Sequence, residues 1–128
     1  MIATSDSHAV LFVDDSISRK NFAVNFIPRA FITGDCEDAI KILQQFEFGR
    51  CPHDLVMLDF DLGPGLTTEP IARYLAATKF PGRVISHSEN PWGWQLLSHI
   101  LPSLVLKPFP VLRREIQQTW ETSGLKIS

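Results

Sequence analysis

Short apolar, β-branched runs recur along the chain at Ala9 to Val13, Ala30 to Ile32, Leu55 to Leu58, Val84 to Ile85 and Leu104 to Leu106. Their near-continuous apolarity, without in/out alternation, predicts strands covered on both faces, as in a parallel sheet. Helical periodicity fills the gaps between them. It is clearest from Cys36 to Glu47, where Cys36, Ala39, Ile40, Leu43 and Phe46 form one stripe behind Asp35 as N-cap. A first helix from about Ile17 to Ile27, capped by Asp15 or Ser16, pairs Phe22 with Phe26 and Ala23 with Ile27 and stops before Pro28. A third covers Glu69 to Thr78 with Pro70 in its first turn, a fourth covers Asn90 to Ile100, and the last opens at Pro110 and stacks Leu112, Ile116 and Trp120. The pattern is β-α five times over, which predicts an open, doubly wound sheet with right-handed crossovers. Such sheets bind ligands at the carboxyl ends of their strands.

The residues just after the strands are unusually polar. Asp14 and Asp15 follow the first strand, Asp59 and Asp61 the third, Ser86, His87 and Ser88 the fourth, and Lys107 and Pro108 the fifth. All eight aspartates lie at or before Asp61. Carboxylates converging at one sheet edge repel one another unless something positive sits among them, and a hard divalent cation, Mg²⁺ with waters retained, is the natural occupant. Carboxylates, a metal, a hydroxyl and a lysine together describe a phosphoryl site. In it Asp59 is the nucleophile that accepts a phosphoryl group, Asp14 and Asp15 hold the metal, Lys107 offers a point charge to one oxygen and Ser88 a hydrogen bond to another. Ser86 competes with Ser88 for the hydroxyl role, strand alternation leaving one of them to face the site.

Composition narrows the possibilities. The chain has 128 residues, 45% of them hydrophobic, and a formal charge of -2. A chain of this mass buries roughly two thirds of its extended surface on folding, enough for a core without metal or disulfide staples. The 12 Lys and Arg residues are scattered, so no basic field marks a nucleic-acid surface. No signal peptide and no membrane span are expected. Cys36 and Cys51 lack metal-ligand or C-x-x-C spacing and read as small hydrophobes in a reduced, cytoplasmic protein.

Taken in order, L-F-V-D-D-S at Leu11 to Ser16, D-L-V-M-L-D at Asp54 to Asp59, the serine after the fourth strand and L-K-P-F at Leu106 to Phe109 resemble a response-regulator receiver domain of the CheY-like type. The resemblance spans nearly the whole chain, and its specificity lies in the order and β-α spacing of the pieces. It implies a flavodoxin-like (βα)5 sandwich with a five-stranded parallel sheet in the order 2-1-3-4-5, one receiver domain over residues 1–128 and no output domain. It further implies Mg²⁺-dependent phosphorylation of Asp59 by a histidine kinase or phosphotransfer protein in a two-component phosphorelay, Ser88 and Lys107 acting as switch hydroxyl and lysine. The expected readout is a changed affinity for a downstream protein at the face of strand 4, helix 4 and strand 5. Asp61 joins Asp14, Asp15 and Asp59 as a metal candidate, at a place where ordinary receivers use a backbone carbonyl.

The departures from the receiver pattern are specific. The loop after Asp59 reads F-D-L-G-P-G rather than carrying the usual Met-Pro, Glu89 stands where a small residue gives access to the acceptor, and Leu104 replaces an aromatic switch residue. D-x-D-L-G at Asp59 to Gly63 and H-S-x-N-P-x-G at His87 to Gly93 are similar to a divergent receiver subgroup proposed to process cyclic phosphates. That similarity implies a metal-dependent phosphoesterase in which His87, Asn90 and Asp61 join the site, His87 or Asp61 as acid or base. A third alternative is a degenerate receiver acting as a phosphorylation-independent interaction module. L-D-F-D at Leu58 to Asp61 does not make a haloacid-dehalogenase-like phosphatase, which needs a further acidic metal ligand downstream. No P-loop occurs. His87 alone reads as a packing residue, and one of Trp92 and Trp94, two apart on a helix, is expected in the core.

Overall fold

The computed structural model of the protein describes residues 9–45, 48 and 53–123. Five strands alternate with five helices: β1 Val10–Val13, α1 Ile17–Phe26, β2 Phe31–Thr33, α2 Cys36–Gln45, β3 Leu55–Leu58, α3 Glu69–Ala77, β4 Arg83–Ser86, α4 Pro91–Ile100, β5 Val105–Leu106 and α5 Phe109–Ser123. All strand pairs are parallel, in the order β2-β1-β3-β4-β5, as the sequence pattern and resemblance led us to expect. The chain winds one way from β1 to β2 and the other way from β3 onward, so the switch point lies between β1 and β3.

Apolar runs located the strands to within a residue or two, because ladder bonds rather than hydrophobicity set their ends. β4 therefore includes Arg83 and the polar Ser86, which pairs with both Leu58 and Leu106. Leu104 falls outside the two-residue edge strand β5 and packs against Phe60, Ala72 and Leu97. Phe46, Glu47, Cys51 and the side chain of Trp120 lie outside the described residues.

Alternation along each strand divides the core. Val10, Phe12, Met57 and Ile85 face Phe22 and Ala23 of α1 and Leu112 and Ile116 of α5. Leu11, Val13, Val56 and Leu58 face Ala39 and Leu43 of α2 and Ile71 and Leu75 of α3. Both faces are buried under helices, which explains the unbroken apolar runs. The helices start where polar caps relieve their first N–H groups. Ser16 Oγ accepts the Arg19 N–H, Asp35 Oδ2 accepts that of Asp38, and Asn90 Oδ1 accepts those of Trp92 and Gly93. Gly93 is required by proximity: a Cβ there would lie 2.4 Å from Cγ of Phe60. α4 thereby packs directly on the residue that follows Asp59.

Candidate functional site

Register and parity assemble the site. Phe12 of β1 pairs with Met57 of β3, which pairs with Ile85 of β4. Two residues further along each strand, on the same face, stand Asp14, Asp59 and His87. The ladder continues past the strand ends to fix their backbones: Asp14 donates its N–H to Thr33 O at 3.0 Å, Asp59 to Val13 O at 2.9 Å and His87 to Leu58 O at 2.9 Å. Oxygens of the two carboxylates and a nitrogen of His87 lie within 4.8 Å of one another.

His87 is fully buried, stacked on Phe12 at 4.7 Å between ring centres and set edge-on to Phe109. Burial pushes its pKa down against the opposing pull of Asp14, so the ring is neutral. Its Nε2 lies 2.9 Å from Asp14 Oδ2 and donates there, while Nδ1 has no partner. Asp14 Oδ1 accepts the Ser16 N–H at 2.9 Å, and Arg19 Nη1 lies 3.6 Å from Oδ2. Burial raises the pKa of Asp14, but these hydrogen bonds and charges outweigh it and hold the carboxyl below its ordinary value. Asp59 is pushed up to about 7, first by burial and then by the Asp14 charge, against a hydrogen bond from the Phe60 N–H at 2.8 Å and the positive charge of Arg19. Two adjacent buried carboxylates cannot both ionise cheaply without a cation.

Asp59 opens into a cleft of about 580 Å³. Asp15 and Asp61 line its walls with Ser88, Glu89 and Asn90. Asp61 Oδ2 accepts a hydrogen bond from Asn90 Nδ2 at 3.2 Å, tying the loop after β3 to the start of α4. That loop turns tightly through Gly63 and Gly65, both at positive φ, and closes with the Asp61–Thr67 bridge. Among the described residues the close cluster is thus Asp14, Asp59 and His87, with Asp15 and Asp61 around it rather than in it. The donor set, two carboxylates of which one carries a proton near neutrality, fits a hard divalent cation such as Mg²⁺ or Mn²⁺.

The remaining expectations fare differently. Ser86 and Ser88, two apart, share a side of the β4 line, so alternation does not separate them; position does, Ser86 ending the strand and Ser88 lying two residues beyond it. Ser86 is sealed inside with its Oγ unpartnered, whereas Ser88 lines the cleft and its Oγ accepts the Asn90 N–H at 3.0 Å. Lys107 is anchored at the right strand end, its N–H on Ser86 O, but its Nζ donates to Glu115 Oε1 of α5 at 2.5 Å and it does not line the cleft. His87 is more than packing, since it orients Asp14: its Nε2 is committed to Asp14 Oδ2 and its ring is stacked on Phe12. Its parity with Asp14 and Asp59 was the signal that could have revealed this. Arg19, unremarked in the sequence, lines the cleft and contacts Asp14 and Glu89. Neither tryptophan is in the core: Trp92 is 66% exposed, and half-buried Trp94 donates from Nε1 to Ser88 O. Cys36 donates its thiol to Thr67 O, and burial with the nearby Asp35 charge raises its pKa, which disfavours the thiolate.

The fold and the acid cluster at its switch point define a receiver domain of the response-regulator type. Among solved structures the chain is similar to the Mn²⁺-bound form of response regulator Rcp1, at 18% identity and a TM-score of 0.62 over 94% of this chain and 97% of that one. It is also similar to an N-terminal domain from Wolinella succinogenes, at 18% identity and a TM-score of 0.67 over 89% and 91% of the two chains. The CheX-CheY-BeF3-Mg²⁺ complex from Borrelia burgdorferi matches at 22% identity and a TM-score of 0.57 over 93% and 90%. These likenesses establish the fold. No curated protein matches the chain. The chain belongs to the cyclic-phosphate processing receiver domain family, whose model matches residues 9–103.

Proposed function

We propose that this receiver uses a divalent cation, Mg²⁺ or Mn²⁺, held by Asp14 and Asp59, to open a small cyclic phosphoester. The observation that carries the reading is where the two departing segments of sequence meet. Residues 59–63 and 87–93 converge on the acid pair, His87 bonding to Asp14 and Asn90 to Asp61. Membership of the cyclic-phosphate processing family supports the substrate class. When bound, the cation supplies charge neutralisation to the phosphoryl oxygens and polarises phosphorus.

The chain's own residues then have separate tasks. His87 Nε2 fixes the orientation of Asp14 Oδ2 from behind. Asp59 gives up the proton it carries below pH 7 as the cation arrives. Asp61, exposed on the cleft wall and braced by Asn90, takes a proton from the attacking water. The water oxygen bonds to phosphorus, one ring P–O bond breaks, and the departing alkoxide takes a proton from solvent water, whose hydroxide is neutralised by the proton on Asp61, leaving a linear phosphomonoester. Ser88 borders the same cleft as a hydrogen-bonding wall. Phosphorus NMR of five-membered cyclic phosphates incubated with protein and Mn²⁺ tests this: we expect ring-opened monoester, lost in Asp14→Asn and Asp59→Asn. Equal turnover in both variants would refute the assignment.

A second reading is favoured by a different observation. Trp92 on α4 and Leu106 on β5 are large apolar side chains left 66% and 43% exposed on the face where a receiver meets a partner. In this reading Asp59 accepts a phosphoryl group from a histidine kinase or phosphotransfer protein, with Mg²⁺ on Asp14 and Asp15, and Lys107 leaves Glu115 to meet it. The modified protein then changes its affinity for a partner at the β4-α4-β5 face. Degenerate, phosphate-independent binding through that face would show the same affinity with and without modification. Among the described residues no helix is long and apolar enough to cross a membrane, and a cytoplasmic setting suits either reading.

A further inference from the structure

The cleft wall carries four carboxylates, those of Asp15, Asp59, Asp61 and Glu89, yet the ligand proposed for it is an anion. A cation of the protein's own must offset part of that repulsion. Lys107, the side chain a receiver would use, is engaged by Glu115 and stands outside the lining. Of the described residues that line the cleft, Arg19 alone is cationic.

We propose that Arg19 is the phosphoryl anchor of this site and that Glu89 is its placeholder, released when the ligand's anionic oxygens take over the guanidinium. The inference rests on the cleft being a phosphoester site and goes beyond it by assigning the group that binds the phosphate.

Arg19 sits in the first turn of α1, five residues past Asp14, so the helix start that caps on Ser16 also delivers the guanidinium to the cleft. Its plane is steadied from one side by the Phe109 ring, 4.6 Å away. Nη1 leans toward the buried Asp14 at 3.6 Å, and Nη2 donates to Glu89 Oε2 at 2.6 Å. The two partners differ in kind. Asp14 is fully buried and held by Ser16 and His87, whereas the Glu89 side chain is 53% exposed on the segment between β4 and α4. An ion pair with so exposed a carboxylate is weak, because water and salt screen it. A phosphoryl group offers the guanidinium the same fork of acceptor oxygens with more charge. Exchange of Glu89 for phosphate therefore costs little and frees the mouth of the cleft.

Phosphate affinity separates this role from a purely structural one. Inorganic phosphate is titrated into the Mg²⁺-loaded full chain by calorimetry, and Mg²⁺ affinity is measured alongside. We expect Arg19→Ala to weaken phosphate binding by ten-fold or more while tightening Mg²⁺, since a positive charge leaves the neighbourhood of Asp14. Arg19→Lys should fall between, and Glu89→Gln should strengthen phosphate binding several-fold. In the Arg19→Ala background Glu89→Gln should add much less, because only the relief of its own repulsion toward the anion remains. Equal phosphate affinity in wild type and Arg19→Ala, or a parallel loss of phosphate and Mg²⁺, would overturn the assignment. Glu89→Gln keeps the test decisive should Arg19→Ala fold poorly, because an unchanged or lower affinity in it contradicts the placeholder role. A wild-type protein that binds Mg²⁺ but no phosphate would instead overturn the phosphoester reading itself.

Discussion

Asp59→Asn should make the metal-free protein more stable at neutral pH, although it removes the residue on which the site depends. The Asp59 carboxyl has its pKa raised from 3.8 to about 7 in the folded chain. Between those values the native state keeps a proton that the unfolded chain has lost, so stability falls as pH rises through that window and levels off above it. Three units of displacement correspond to about 4 kcal/mol at pH 8, a large part of the ~5–15 kcal/mol that holds a domain together. An amide has no such charge, and its oxygen can still accept the Phe60 N–H that Asp59 Oδ1 accepts at 2.8 Å. Urea unfolding in chelator at pH 4.5 and pH 8 measures the difference directly. Asp59→Asn should lead by only about 1 kcal/mol at pH 4.5 and by as much as ~4 kcal/mol at pH 8. Mg²⁺ should restore the wild type, by about 2.7 kcal/mol at a hundred times its Kd, and leave the variant unmoved. A variant that is less stable than wild type at pH 8 without metal, or one that follows the same pH dependence, would refute the charge-crowding argument.

Cation affinity should itself depend on pH, rising about ten-fold per unit from pH 5 to 7 as the Asp59 proton is displaced and flattening above, which calorimetry at three pH values will show. His87→Ala removes the partner of a buried carboxylate and the ring stacked on Phe12, so a loss of about 2–5 kcal/mol in urea unfolding and weaker Mg²⁺ binding are expected. Gly93→Ala drives a methyl into Phe60 and should cost about 1–3 kcal/mol in the same assay while displacing the neighbouring Asp59. Glu115→Gln should change stability by less than about 1 kcal/mol, since the pair with Lys107 is partly exposed. If the phosphoacceptor reading holds, the same variant should raise the yield of acetyl-phosphate adduct by removing the pull of Glu115 on Lys107, as intact mass would report.

The sheet was legible because its information is local and repeated. Apolar runs such as Leu55 to Leu58 are buried on both faces and have no other plausible fate, and five of them separated by helical stripes admit one architecture. The acidic residues were legible by position after the strands. What escaped was direction and partnership. His87 shares a face with Asp14 and Asp59 through register between three strands, which no local window contains. Arg19 reaches Glu89 across seventy residues of sequence, and Lys107 is drawn away by a carboxylate one helix later. Such contacts depend on how helices pack over the sheet edge, and a sequence read along its length does not carry them. The serine pair shows the reverse error: a local rule, alternation, was applied to two residues that it does not distinguish.

On this reading the cation-bound cleft turns over a small cyclic phosphoester rather than storing a phosphoryl group on Asp59. One sample decides it: protein with Mg²⁺ or Mn²⁺, a cyclic phosphate panel and acetyl phosphate, followed by phosphorus NMR and by intact mass. Many equivalents of ring-opened monoester per protein, with the chain mass unchanged, is the predicted result. A single Asp59-dependent phosphoryl adduct with every cyclic phosphate intact would contradict it and establish the protein as a phosphoacceptor.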